Sequence, residues 1–319
     1  MGSRYHRTAV SFLALALCLA PARPARASSL VIDGAGDGHG VGMSQQGALG
    51  YAQHGWSYQA ILAHYYTGTA LGAAPPNAVV KVLLHNKVHP IPLERYVRGV
   101  VAAEVSSGWP MAALEAQAVA SRTYALTAHA GGSKFDVYAD TRSQMYMGKA
   151  AETPPTNAAV AATAGQIVTY AGQPAITYFF ASSGGHTESV QNAFPGSTPE
   201  PWLLGVEDPY DAGPLHRWKT TLSFHAAGLR LKGLVRGSFR GVEVLERGTS
   251  PRILSAYVLG SKGRTQVTGA QLAERLGLYD TWAYFYVTDS HGTHPEPDKS
   301  GKPGDGGGSV TGQGGTIAQ

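Results

Sequence analysis

Cysteine is almost absent from this chain of 319 residues: Cys18 is the only one. Long apolar runs are equally scarce. The only sustained one, residues 9–20, is too short to cross a bilayer as a permanent helix. It follows the basic residues Arg4, His6 and Arg7 and precedes Ala25-Arg26-Ala27, a small-x-small site. That pattern predicts a secretory signal peptide over residues 1–27 and a secreted protein without a membrane span. Leu17 stands where a lipid-modified cysteine would need Gly or Ala before it, so no lipid anchor is expected. Without Cys18 the remaining chain has no thiol, which excludes disulfides and thiolate metal sites. An excess of one charge is also missing. Of 25 Lys+Arg, four (Arg4, Arg7, Arg23, Arg26) fall in the signal, while all 21 Asp+Glu lie beyond it. The two signs balance in the remainder, so bulk charge gives no reason to expect a nucleic-acid partner.

Residues 290–319 are rich in Gly, Pro, Ser, Thr and Asp. Such a segment buries too little surface to offset ordering, and a disordered tail is expected there. Between the ends the patterns predict strands at 30–33, 78–84, 242–246, 253–259, 265–268 and 284–288, and a hairpin of 167–170 with 175–181. Helices are predicted at 43–53, 58–66, 93–106, 111–130, 158–164, 222–231 and 269–276. Helices and strands mix without regular βαβ alternation, so the expected fold class is α+β.

Glu104 is the leading candidate for chemistry. It closes the largely apolar helix of 93–106, just before the stop Gly108-Trp109-Pro110. Apolar surroundings disfavour a charged carboxylate, raise its pKa and suit it to general acid work. The plainer alternative is a helix-end Glu facing water. On the next helix Gln117, Ser121 and Tyr124 share one face, with Arg122 beside them. The loop Gly34-Ala35-Gly36-Asp37-Gly38-His39-Gly40-Val41-Gly42 lacks the Gly-Lys-Ser/Thr ending of a phosphate loop. It reads as a backbone that passes close to something, with His39, Ser44 and Gln45 at a helix opening, or as a tightly packed turn. Ser182, Ser183, His186 and Glu188 follow an apolar strand. There is no Gly-x-Ser-x-Gly elbow, so a serine hydrolase is rejected in favour of sugar hydroxyl or amide recognition, or an ordinary turn. His85 and His89 lack a third ligand in pattern, so neither a metal nor another cofactor is expected.

Several of these segments together resemble the SpoIID/LytB family of bacterial proteins that act on peptidoglycan. The resemblance rests on residues 92–104 and 113–126, Asp140-Thr141 with Gln144-Met145-Tyr146, and residues 158–165 and 178–188. Residues 206–211, 38–48 and 64–69 also match. In the family's usual order the Gly-His-Gly-Val-Gly-Met-Ser-Gln segment comes last; here it comes first. Domain ends often lie close together, so the fold survives if residues 30–33 lie beside 284–288. The organisation expected is therefore a signal (1–27), a permuted segment (28–76), a catalytic core (77–289) and a tail (290–319). Some members carry a zinc-associated cysteine pair where this chain has Ala139 and Ser143, so no metal site is carried over.

The resemblance implies a lytic transglycosylase. Such an enzyme cleaves between N-acetylmuramic acid and N-acetylglucosamine and leaves a 1,6-anhydro end. Glu104 would be the acid, and Gln117, Arg122, Tyr146, Ser182, Ser183, His186, Glu188, His39 and Gln45 would bind the glycan. A hydrolase normally uses two carboxylates. A transglycosylase needs one, and the motifs offer one well-placed carboxylate, with Glu188 its sole rival. The LytB side of the family implies the alternative, a non-catalytic glycan-binding enhancer with a cell-wall amidase as partner.

Overall fold

The computed structural model describes residues 28–289 and 292–295. The expected signal peptide lies outside them, as does most of the expected tail. The fold is α+β, with helices packed against small, mainly antiparallel sheets.

Chain order builds one lobe and then closes a second. The first strand, β1 (Ser29–Gly34), belongs to the second lobe. The glycine loop leads to β2 (Met43–Ser44), α1 (Gln45–Gln53), α2 (Tyr58–Tyr65) and β3 (Ala70–Ala73). A hairpin of β4 (Val79–Leu84) and β5 (Lys87–Pro92) follows, turning at His85 and Asn86, both at positive φ. Such a two-residue turn matches strand twist, which gives His85 a structural reason to be where it is. Next come α3 (Leu93–Glu104), α4 (Met111–Thr127), β6 (Val137–Tyr138) and α5 (Pro154–Ala162). Then β7 (Gln166–Tyr170), β8 (Gln173–Pro174), β9 (Phe179–Phe180) and α6 (Val190–Ala193) complete the first lobe.

Helix α4 is the axis of this lobe. Twelve of its 17 residues are buried, so it cannot be a surface helix with one wet face. Ala116, Val119 and Ala120 pack against α1 and α2, while Leu114, Ala118 and Ala125 pack against α3, α5 and β4. Its small alanines let helices approach from both sides. Arg122 is fully buried on it and donates to both oxygens of Glu94 on α3, at 2.8 Å each, and to the Gln166 carbonyl at 3.0 Å. That guanidinium ties α3, α4 and β7 together.

The second lobe contains β10 (Trp218–Ser223), α7 (Phe224–Arg230), β11 (Phe239–Arg247), β12 (Ile253–Gly260), β13 (Gly263–Thr268), α8 (Gly269–Leu276), β14 (Ala283–Asp289) and β15 (Gly292–Pro295). One sheet runs β10-β1-β14-β15 and another β11-β12-β13. Leu30, Ile32, Val242, Val258, Leu272 and Phe285 share its core. Strand β1 pairs antiparallel with β14, Ile32 opposite Phe285 and Leu30 opposite Val287. The first and last segments are therefore neighbours.

Three expectations need correction. Residues 218–223 are strand, and the helix expected from 222 starts at Phe224, capped by Ser223, whose side chain accepts from the Ala226 N–H. The return arm of the 167–181 hairpin is only two residues, and Phe179–Phe180 instead pair in parallel with β2. Residues 292–295, placed in the tail, pair with β14.

Candidate active site

A cleft of about 400 Å³ opens beside the end of α3. Helix α3 ends because Val105 turns extended and Pro110 blocks continuation. This leaves the Glu104 side chain, neither fully buried nor exposed, among the lining residues. Its Oε1 accepts from the Met145 N–H at 2.6 Å and its Oε2 from Gln45 Nε2 at 3.2 Å. Burial raises its pKa above the ordinary value of 4.5, and those two donors oppose the shift. A carboxyl of this kind keeps a proton longer than an exposed one and is held by groups that also tolerate its charge. Both states are needed by a group that gives a proton and takes one back.

The support behind Glu104 is a relay of amides. Gln45, the first residue of α1, approaches Gln117 Oε1 at 3.5 Å as well as Glu104. Gln117 donates to Ser121 Oγ at 3.0 Å, and buried Gln144 donates to the Ser121 carbonyl at 3.2 Å. Gln117 therefore stands behind Glu104, 1% exposed, and does not line the cleft. Tyr146 also lies off the cleft. It stacks on Tyr96 at 5.1 Å, packed over Gly99, and strengthens the strap that brings the Met145 N–H to Glu104.

The glycine loop forms the opposite wall. Gly36, Gly38, Gly40 and Gly42 all have positive φ, alternating with Asp37, His39 and Val41. At Gly40 a Cβ would lie 2.5 Å from the Arg252 guanidinium, so only glycine fits there. Asp37 and His39 face the cleft. His39 Nδ1 accepts from the Val41 N–H at 3.1 Å. Burial, and then the charge of Arg252, lower its pKa to about 4, against the opposing pull of the Phe179 carbonyl. His39 is thus a neutral ring, packed beside Phe180 and Phe194 at 5.4 and 5.2 Å. It offers a flat apolar face and does not exchange protons near neutral pH. Gln45, Tyr124, Tyr178, Phe179, Ala181, Thr141, Arg142 and Ser143 also line the cleft. Arg142 is engaged by both oxygens of Asp140.

The other residues expected to bind substrate are elsewhere. Arg122 is committed to Glu94 deep in the lobe. Ser182 and Ser183 are buried and donate to Asp211 at 3.0 and 2.9 Å. Ser183 also reaches Asp208 at 2.7 Å, and Ser44 joins the cluster through Asp211 at 3.1 Å. His186 Nδ1 contacts the Thr187 carbonyl, and the His186 carbonyl accepts from Arg252 at 2.7 Å. Glu188 is fully buried and accepts from Ser189, Asn192, Thr249 and Ser250. These polar groups close the seam between the lobes. The carboxylate that does share the cleft with Glu104 is Asp37. Its acidic side chain amid glycines was a visible signal, and the expectation of a single cleft carboxylate is corrected. Among the described residues no group of three or more His, Cys, Asp or Glu could hold a metal.

Comparison with known proteins follows the same map. Residues 85–170, from the β4–β5 turn to β7, match the family model SpoIID, described as Stage II sporulation protein. The chain is similar to an uncharacterized protein of Brachyspira hyodysenteriae, 37% identical over 188 residues, covering 58% of this chain and 48% of that protein. It is 31% identical over 227 residues to Stage II sporulation protein D of Bacillus subtilis, covering 65% and 64%. It is 33% identical over 127 residues to the Amidase enhancer of Bacillus subtilis, covering 40% and 17%. The chain spans between about half and two thirds of the length of the first two relatives. The matched core and these likenesses agree with the resemblance to the SpoIID/LytB family.

Proposed function

We propose that this protein acts on the bacterial cell wall as a lytic transglycosylase of peptidoglycan glycan strands. The observation that carries this reading is the state of Glu104: a cleft carboxyl with a raised pKa, held by one backbone N–H and one amide. In the first step Glu104 gives its proton to the glycosidic oxygen as the bond to the muramic acid C1 breaks. In the second its carboxylate takes the proton from the C6 hydroxyl of the same sugar, whose oxygen closes on C1. No water enters, and the product carries a 1,6-anhydro end. Gln45 and the Met145 N–H stabilise the carboxylate between the steps. The His39, Phe180 and Phe194 rings provide the apolar surface on which a sugar face stacks.

The test is mass spectrometry of peptide-free glycan strands after incubation with the protein. Anhydro-muramic ends are expected, and they should be lost in Glu104→Gln. Reducing ends instead would make the enzyme a hydrolase. The likeness to the Amidase enhancer favours a second reading, a glycan-binding helper of an amidase. It prevails if neither form cleaves and both raise amidase turnover.

A further inference from the structure

Several carboxylates at the heart of the fold are committed within it. Glu94, Glu188, Asp208, Asp211 and Asp280 each accept from neighbours of the chain itself. Asp37 differs. It lines the cleft with Glu104, and among the described residues its carboxylate has neither a hydrogen-bond donor nor an ion-pair partner. Its backbone is nonetheless fixed: the Asp37 N–H and carbonyl bond reciprocally with Ser182 at 2.8 and 3.1 Å, between two glycines at positive φ. A half-buried acid without a donor loses hydration and gains nothing in return within the free protein. The backbone that presents it is rigid, so the side chain cannot simply swing out of the wall with its loop.

We infer that Asp37 is a substrate-binding carboxylate that accepts hydrogen bonds from the acetamido N–H or a hydroxyl of an N-acetylglucosamine unit lying beside the bond that Glu104 cleaves. Resting on the glycan reading above, this assigns a sugar to one wall of the cleft. A muramic acid unit carries a lactyl carboxylate, and an unpaired acid repels it. The uncharged N-acetylglucosamine brings only donors and acceptors, and its donors are what Asp37 lacks. Burial raises the Asp37 pKa in the free protein, and donors on a bound sugar would favour its charged form. Affinity should therefore weaken as pH falls through that pKa. The other titratable groups lining the cleft are Glu104, His39, Arg142, Tyr124 and Tyr178.

The experiment is calorimetric titration of oligomers of N-acetylglucosamine, and of peptide-free strands, onto the full chain carrying Glu104→Gln. That background removes turnover and the titration of Glu104. Adding Asp37→Asn is expected to weaken both ligands roughly 10-fold or more. It should also flatten the loss of affinity between neutral pH and pH 4. The thermal midpoint should not fall, because the side chain holds no internal partner. Equal affinities with and without Asp37→Asn, or an unchanged pH profile, would overturn the assignment and leave the glycan reading standing. If the Glu104→Gln chain binds neither ligand, the glycan reading fails and the assignment fails with it.

Discussion

Glu188 and Glu104 are both carboxylates in an apolar setting, but their surroundings differ. Glu188 sits on the seam between the lobes, where hydroxyls and backbone N–H groups from two separate segments surround it, and those donors hold its pKa below the ordinary value despite burial. Glu104 has two donors and an open side, and burial prevails. Burial raises the pKa of both Asp280 and Asp37, but the two differ in their partners. Asp280 is buried against Arg252 at 2.7 and 2.9 Å, while Asp37 faces a cavity alone. Seam acids are saturated by the protein and serve the fold. Cleft acids have fewer partners from the protein, as the roles proposed for Glu104 and Asp37 require. Counting donors therefore sorts the polar motif residues better than counting the residues.

The largest expected effect is at the seam. Arg252→Met leaves Asp280 buried without its cation and should cost about 3–5 kcal/mol in urea unfolding. A loss below about 1 kcal/mol would mean that the seam is not what joins the lobes. Glu104→Gln should do the reverse. Cleavage should fall roughly 100-fold or more while the unfolding midpoint stays close to wild type. If that variant unfolds as easily as Arg252→Met, the cleft acid is structural and the contrast collapses.

The Asp208–Asp211 pair sharpens the comparison through pH. Asp211 is held at about 2 by its many donors, chiefly His216, Ser183 and Ser182, against the opposing effect of burial. Its contribution is present above the unfolded pKa near 3.8 and is lost as pH falls towards 2. Asp208 is raised to about 6, mainly by burial. The native state then keeps a proton that the unfolded chain has released, so stability falls as pH rises from about 4 to 6. Urea midpoints should peak near pH 4 for this pair, and Asp208→Asn should flatten the upper slope. A midpoint that rises between pH 4 and 6 for reasons traced to Asp208 would contradict the assignment.

A smaller shift is expected at Gln45. Removing its amide with Gln45→Ala takes a donor from the charged form of Glu104 and raises that pKa further. The alkaline limb of kcat/KM should move up by less than about one pH unit. Movement to lower pH would show that Gln45 opposes ionisation. The last expected effect is none: EDTA should leave cleavage unchanged, and loss restored by zinc would reveal a His–carboxylate site.

Much of the architecture was legible because local signals and burial agree. The Trp109-Pro110 stop, the capping threonine before α8 and the apolar, β-branched run of β12 each act over a few residues. The cleft position of Glu104 was legible for the same reason, an acid closing a mostly apolar run. Strand β10 was not. Trp218–Ser223 is mostly Lys, Thr and Ser with few large apolar residues, and its pairing with β1 is decided by residues far away in sequence. The roles of Ser182, Ser183 and Glu188 were misjudged because a hydroxyl bonded to Asp211 looks, in sequence, like one waiting for a sugar. Arg252 and Asp280 stood in no motif, although they bind the motif loops together.

The placement of β1 between β10 and β14 has a kinetic consequence. Ile32 must find Thr220 on one side and Phe285 on the other. The second lobe cannot finish its central sheet until nearly all of the described chain is available. Contacts that span such distances form slowly, because loop closure precedes any gain from pairing. Helices α3, α4 and α5 pack on one another at shorter separations in sequence and can condense first. Until the last strands arrive, β1 presents bare edges on a nascent chain. That interval is when the protein is most exposed to wrong strand pairing or to proteolysis.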